Sequence, residues 1–261
     1  MAIKGLVDSH THAGMVPYDG FAAMAVNGIN KAISCSIVIA ARHAESYFDH
    51  FRAISGFYRQ VAAAAGVTLY TAVGVHPAGI PEDWTRVMDR LPDYLNEAAV
   101  VGIGEVGMNH DTPLEKEVFR TQLEVARDCH VPVIIHTPKE NRQAIVSIML
   151  NLAAGVGINP GLLVIDHAHL DIIGQINEFG AVPGLTIRKQ NLPPEVLVDN
   201  LDLFKNGMLN SDYSNIMPNN PVGMIDAVKF MQQNNIDEEI INEMAGGRAT
   251  KLYGLGNEIN G

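Results

Sequence analysis

The sequence predicts a single (β/α)8 barrel with an extra C-terminal helix, and three observations predict it. Short β-branched runs alternate eight times with longer amphipathic runs along the 261 residues, which calls for parallel strand pairing. No Pro/Gly/Ser-rich linker or shift in composition divides the chain, so residues 1–261 read as one domain. Residues able to ligate a metal also close five of the apolar runs, and a parallel barrel brings such strand ends to one mouth.

Taken in order, the strands are expected at Gly5–His12, Lys31–Ala40, Val67–Val75, Val100–Val106, Pro132–Thr137, Leu162–His167, Val182–Ile187 and Met208–Ser211. Each is a short apolar run bounded by Gly, Pro or polar residues. The helices between them are Phe21–Gly28, Ala44–Ala65, Pro81–Asn96, Leu114–Cys129, Arg142–Leu152, Ile172–Phe179, Pro194–Phe204 and Pro221–Gln233, where apolar residues recur at helical spacing. A tail helix, Asp237–Leu252, is left over and is expected to pack on the outside. There is no low-complexity stretch and no repeat beyond the β/α alternation itself.

With 47% hydrophobic residues the chain can bury a large core. Its net charge of -11 repels polyanions at long range, which disfavours a nucleic-acid partner without excluding one, since metal ions can supply positive charge locally. Two cysteines, Cys35 and Cys129, imply no disulfide framework and read as small buried apolar residues. Met1–Lys4 runs into the first strand without an apolar leader and no apolar run reaches membrane-spanning length, so the expected location is cytoplasmic, with no membrane partner. A homo-oligomer is left open.

The stretch Val7-Asp8-Ser9-His10-Thr11-His12 organises the rest. A strand sends every second side chain to one face, so His10 and His12 aim both imidazoles into the same space. Glu105, His136, His167 and Asp212 each end another apolar run. Singly, each has a bland explanation as a satisfied strand-end or loop residue; gathered at one barrel mouth they make a metal site. His169 repeats the alternate spacing after His167 and is placed in the pocket mouth. His76, Lys139 and Arg188 follow strand ends and are assigned to substrate binding; of the adjacent Arg188 and Lys189, alternation lets at most one point inward. His43, His50, His110 and His130 fall in helical or loop positions and receive no role.

Gly102-Ile103-Gly104-Glu105-Val106-Gly107 is formally a G-x-G-x-x-G run after an apolar strand. A dinucleotide site there is rejected on physical grounds. Glu105 would set a carboxylate beside the pyrophosphate, and no helix begins at the third glycine.

The order His10-x-His12, Gly104-Glu105-Val106-Gly107, Ile135-His136-Thr137-Pro138, Asp166-His167 and Asn210-Ser211-Asp212 resembles the TatD-related metal-dependent hydrolases of the amidohydrolase superfamily, over nearly the whole chain. Gly74-Val75-His76-Pro77 is similar to that family's substrate-side His-Pro turn. Glu105–Thr112, Val164–His167 and Asn210–Asp212 look closest to an uncharacterised branch rather than to the nucleases. Met108-Asn109 stands where the nucleases carry Leu-Asp, and Pro138-Lys139 follows the strand-five histidine in place of their pattern.

The resemblance implies two divalent ions. His10, His12 and Asp212 would hold the more buried one, His136 and His167 the more exposed one, and Glu105 would bridge them. Four positive charges against two carboxylates leave a surplus that acidifies water to a metal-bound hydroxide. Asp212 would take the nucleophile's proton and return it to the leaving group. Mixed nitrogen and oxygen ligands suit zinc or manganese. The expected reaction is hydrolysis of a C–N or C–O bond in a small-molecule substrate: an amide, cyclic amide or lactone. The alternatives are a phosphodiesterase or TatD-like deoxyribonuclease, and a non-catalytic metal-binding barrel subunit.

Overall fold

The computed structural model describes residues 5–214 and 220–256. Eight strands follow one another in chain order: β1 (Leu6–Thr11), β2 (Ile29–Cys35), β3 (Thr68–Ala72), β4 (Val100–Gly107), β5 (Val133–His136), β6 (Leu163–Ile165), β7 (Val182–Thr186) and β8 (Met208–Asn210). Every ladder from β1–β2 through β7–β8 is parallel. The ring is nearly closed where the Asp212 amide donates to the His10 carbonyl at 2.9 Å and Thr11 bridges Tyr213 in parallel.

Successive side chains of a strand serve two separate cores, which is how a period of two becomes a barrel. Ile33, Tyr70, Ile134, Val164 and Met208 fill the interior, while their neighbours Ala32, Leu69, Val133, Leu163 and Leu209 pack against the helices. The helices are α1 (Tyr18–Val26), α2 (Ala44–Ser55), α3 (Phe57–Ala64), α4 (Trp84–Leu95), α5 (Pro113–Cys129), α6 (Arg142–Val156), α7 (Ile173–Phe179), α8 (Pro194–Asp199), α9 (Leu201–Phe204), α10 (Gly223–Gln233), α11 (Glu238–Asn242) and α12 (Arg248–Tyr253). The starts are encoded locally: α5 has Pro113 in its first turn and the Thr112 side chain accepting from the Glu115 amide at 3.2 Å.

Several expectations need correcting. The long second helix breaks at Gly56 into α2 and α3. The second strand stops at Cys35, because Ile37, Val38 and Ile39 continue the apolar run beyond the ladder and leave Ile39 exposed. Cys129 is exposed at the end of α5, whereas Cys35 is buried as expected. The tail is broken as well: α11 and α12 are separated by a wider turn, Glu243–Gly247. Nor does that tail lie outside the barrel. Ala249, Tyr253 and Leu255 join the interior cluster with Val7 and Met208, so the tail stoppers the floor of the barrel. Gly246 permits this, since a Cβ there would come 2.1 Å from the carbonyl oxygen of Gly5.

The G-x-G-x-x-G run lies within β4, and α5 begins only at Pro113. A Cβ on Gly104 would come 2.8 Å from the Ile134 Cβ, and one on Gly102 2.6 Å from the Pro132 oxygen. These glycines let β4 lie close against β5. Residues 1–4, read above as the approach to the first strand, and residues 215–219, part of the loop after the eighth, lie outside the described residues. Among the described residues no helix is long and apolar enough to cross a membrane.

Candidate metal centre

The strand ends place the predicted residues around one carboxylate. Glu105, on β4 and only 2% exposed, has Oε1 3.0 Å from His136 Nδ1 and 3.2 Å from His167 Nε2. Its Oε2 lies 3.4 Å from His10 Nε2, 3.6 Å from His12 Nε2 and 3.9 Å from His76 Nε2. Asp212 joins from the end of β8, with Oδ1 3.0 Å from His12 Nε2 and 3.8 Å from His10 Nε2. His167 and Asp212 both have positive φ, 53° and 46°, just past their strands. That left-handed conformation is costly for a residue with a Cβ, and its occurrence at two residues of one cluster marks a site that the surrounding structure enforces.

Hydrogen bonds behind the cluster fix which ring nitrogen faces it. His12 Nδ1 donates to the Cys35 carbonyl at 3.1 Å, and His10 Nδ1 donates to the Asp166 carboxylate. His136 Nε2 donates to Asn109 Oδ1 at 3.2 Å. His167 Nδ1 donates to Thr186 Oγ1 at 2.9 Å, whose own hydroxyl donates to Asp166 at 3.3 Å. Each ring is therefore anchored through one nitrogen and turns its other nitrogen toward Glu105. His10 Nε2 and His12 Nε2 stand 3.2 Å apart, two acceptors facing each other once both rings are neutral. Converging imidazole lone pairs and carboxylate oxygens repel one another unless a cation lies among them, so the donor set fits a divalent metal. Two groups of ligand-type side chains share Glu105: His10–His12–Glu105 and His76–Glu105–His136.

The charge states follow from burial and neighbours. For Glu105 burial acts upward, but the His10 charge and hydrogen bonds with His10, His136 and His167 hold it well below the usual carboxylate range. Burial also opposes the charge on His10, yet Cys35, Glu105 and Asp166 together raise it well above the ordinary imidazole value. His12 is pushed down to about 4 and His76 to about 3, in both cases chiefly by burial. His76 differs from the others in its hydrogen bonding. Its Nδ1 accepts from the Ala78 amide at 3.1 Å, so the neutral ring carries its proton on Nε2 and offers the pocket a donor.

The remaining candidates are more scattered. Arg188 turns inward and pairs with the Asp212 carboxylate, also donating to the Asp212 carbonyl at 3.3 Å, while Lys189 is exposed. His169 bonds Asp171 Oδ1 at 3.1 Å and Lys139 is exposed after β5; among the described residues neither shows a hydrogen bond or ion pair to the cluster.

Two functional residues escaped sequence reasoning. Asp166 is fully buried; besides His10 and Thr186 it takes the His167 amide at 2.8 Å and Asn210 Nδ2 at 2.9 Å. Burial would raise it, but the His10 charge and hydrogen bond outweigh burial and lower it. Its only signal was its position beside His167. Asn109 registered only as a departure from the nucleases, yet it orients His136. We expect Asp166→Asn to weaken metal binding about 10- to 100-fold in competition with a chelating dye, because the carboxylate behind His10 is lost; unchanged affinity would contradict this role.

A parallel barrel with imidazoles and carboxylates converging at its mouth defines a barrel of the metal-binding class. Residues 7–172 match the family described as TatD related DNase. An uncharacterised metal-dependent hydrolase of Methanocaldococcus jannaschii is 34% identical over 184 residues, 70% of this chain and 73% of that protein. The structure of a TatD-like protein from Archaeoglobus fulgidus superposes with a TM-score of 0.81 at 29% identity, covering 95% of this chain and 100% of that one. The 3'-5' ssDNA/RNA exonuclease TatD of Pectobacterium atrosepticum is 35% identical over 72 residues, 26% of this chain and 28% of that protein. The chain belongs to the TatD-related family of metal-dependent hydrolases.

Proposed function

We propose that the chain hydrolyses a C–N or C–O bond of a small molecule, an amide, cyclic amide or lactone, at a centre of two divalent ions, zinc or manganese. The observation that carries the metal reading is the set of four imidazoles, each anchored from behind through one nitrogen so that the other faces Glu105. His10, His12 and Asp212 would hold one ion, His136 and His167 the other, with Glu105 between them. Bound ions supply positive charge that acidifies water and polarises the bond to be cleaved.

The chain's own residues divide the remaining work. Asp212 accepts a proton from the attacking water as the new C–O bond forms, and returns it to the leaving nitrogen or oxygen as the old bond breaks. Arg188, paired with Asp212, orients that carboxylate. His76 directs its Nε2–H into the pocket, where a carbonyl oxygen gaining charge is the matching acceptor. The net charge of -11 also favours a small uncharged substrate over a polyanion.

Phosphodiester cleavage is the second reading. It is favoured by exposed Lys139 and Lys189 on loops after β5 and β7, and by the exonuclease relative. Assays with Mn, Zn or Mg on single-stranded DNA, a p-nitrophenyl phosphodiester and a panel of lactones and anilides separate the two. Turnover confined to the lactone and anilide panel is the expected result. Turnover confined to the phosphodiesters would transfer the assignment, and silence with both ions bound would leave a non-catalytic barrel.

A further inference from the structure

A cavity of about 370 Å³ opens beside His12 on the β1–β2 side of the mouth, walled by Met15, Ile37, His50, Ala53 and Tyr58. His12 is its link to the centre, because the Nε2 of the same ring lies 3.0 Å from Asp212. His50, on α2, is anchored through Nε2, which accepts from the Ile37 amide at 3.3 Å. A neutral imidazole that accepts through Nε2 carries its proton on Nδ1. That Nδ1–H has no hydrogen-bond partner among the described residues, although the ring lines the cavity.

Gly14 lies between the two rings of the wall. A Cβ there would stand 3.7 Å from Tyr58 Cε2 and 3.8 Å from His50 Cε1, in ordinary contact with both. The rest of the wall is mainly apolar. At its edge Asp49 sets a carboxylate, paired with exposed Arg52, against any anion entering. A predominantly apolar pocket with one fixed donor selects a matching acceptor, since an occupant lacking it leaves the donor unpaired.

We propose that this cavity is a specificity subsite for a neutral, mostly apolar substituent bearing one hydrogen-bond acceptor, which His50 Nδ1–H receives. His50 is thereby a specificity-determining residue rather than a catalytic one. The inference rests on the small-molecule reading above for its link to turnover, but the binding event can be tested without turnover.

The full chain, labelled with 15N-histidine, is titrated with benzamide, benzoate and benzylamine while the imidazole nitrogens are followed by NMR; His50→Gln assigns the His50 signals. Benzamide is expected to shift His50 Nδ1 and to saturate. Benzoate and benzylamine should bind at least about tenfold more weakly, since each brings a charge into a site built for a neutral acceptor. Gly14→Leu, whose side chain enters between His50 and Tyr58, should abolish the shift, whereas Gly14→Ala should retain it. A His50 signal indifferent to benzamide, or benzamide binding unchanged in Gly14→Leu, would overturn the proposal. On any lactone or anilide that is turned over, Gly14→Leu should raise KM several-fold more for bulky substituents than for the smallest. Benzamide binding with silence across the hydrolysis panel would refute the small-molecule reading and leave the subsite standing; turnover without benzamide binding would do the reverse.

Discussion

Asp212→Asn leaves a folded, metal-binding protein whose kcat is about 10²- to 10⁴-fold lower, the range expected when a general acid–base group is lost. The substitution keeps the shape and one oxygen donor but removes the ability to take and return a proton. It also leaves the backbone intact at the barrel seam, where the residue 212 amide donates to the His10 carbonyl at 2.9 Å. Asparagine tolerates the positive φ of 46° at this position better than most residues, so the fold should survive. Steady-state kinetics alongside metal analysis checks this: low kcat with wild-type metal content is the expected pair. An unchanged kcat would remove Asp212 from the chemistry.

Glu105→Ala is expected to have the widest effect, because this carboxylate serves both candidate groups. Metal content should fall from two ions per chain to less than one, and activity to background. His136→Ala, which touches one side of Glu105 only, should instead retain about one ion. Metal analysis after exhaustive dialysis distinguishes the two variants. Because truncating a buried side chain also leaves a cavity, Glu105→Gln is the companion variant: it fills the same space and should show the same loss of metal. If Glu105→Ala kept two ions, Glu105 would not be the shared ligand.

Much of the centre was legible because two regularities coincide. Strand alternation alone aims His10 and His12 together, and parallel barrel topology brings Glu105, His136, His167 and Asp212 to the same mouth from distant parts of the chain. What stayed hidden obeys neither rule. Asp166 precedes His167 directly, and alternation would send it to the opposite face; the positive φ of His167 turns the backbone so that both neighbours serve the centre. Asn109 lies beyond its strand, where no period operates, and its role depends on a contact with His136 across a ladder. The tail reads as one amphipathic helix, and only the close approach of Gly246 to Gly5 explains why it bends inward to close the floor. The second ladder ends at Cys35 although its apolar run continues to Ile39, because apolar composition does not signal where a ladder ends.

The central claim is that Glu105 stands between two cations. Anomalous diffraction from crystals of the full chain grown with manganese, or with zinc, tests it directly. The account predicts two peaks flanking Glu105, one ligated by His10, His12 and Asp212 and the other by His136 and His167. No peak, or a single ion making no contact with Glu105 after saturating supplementation, would contradict it.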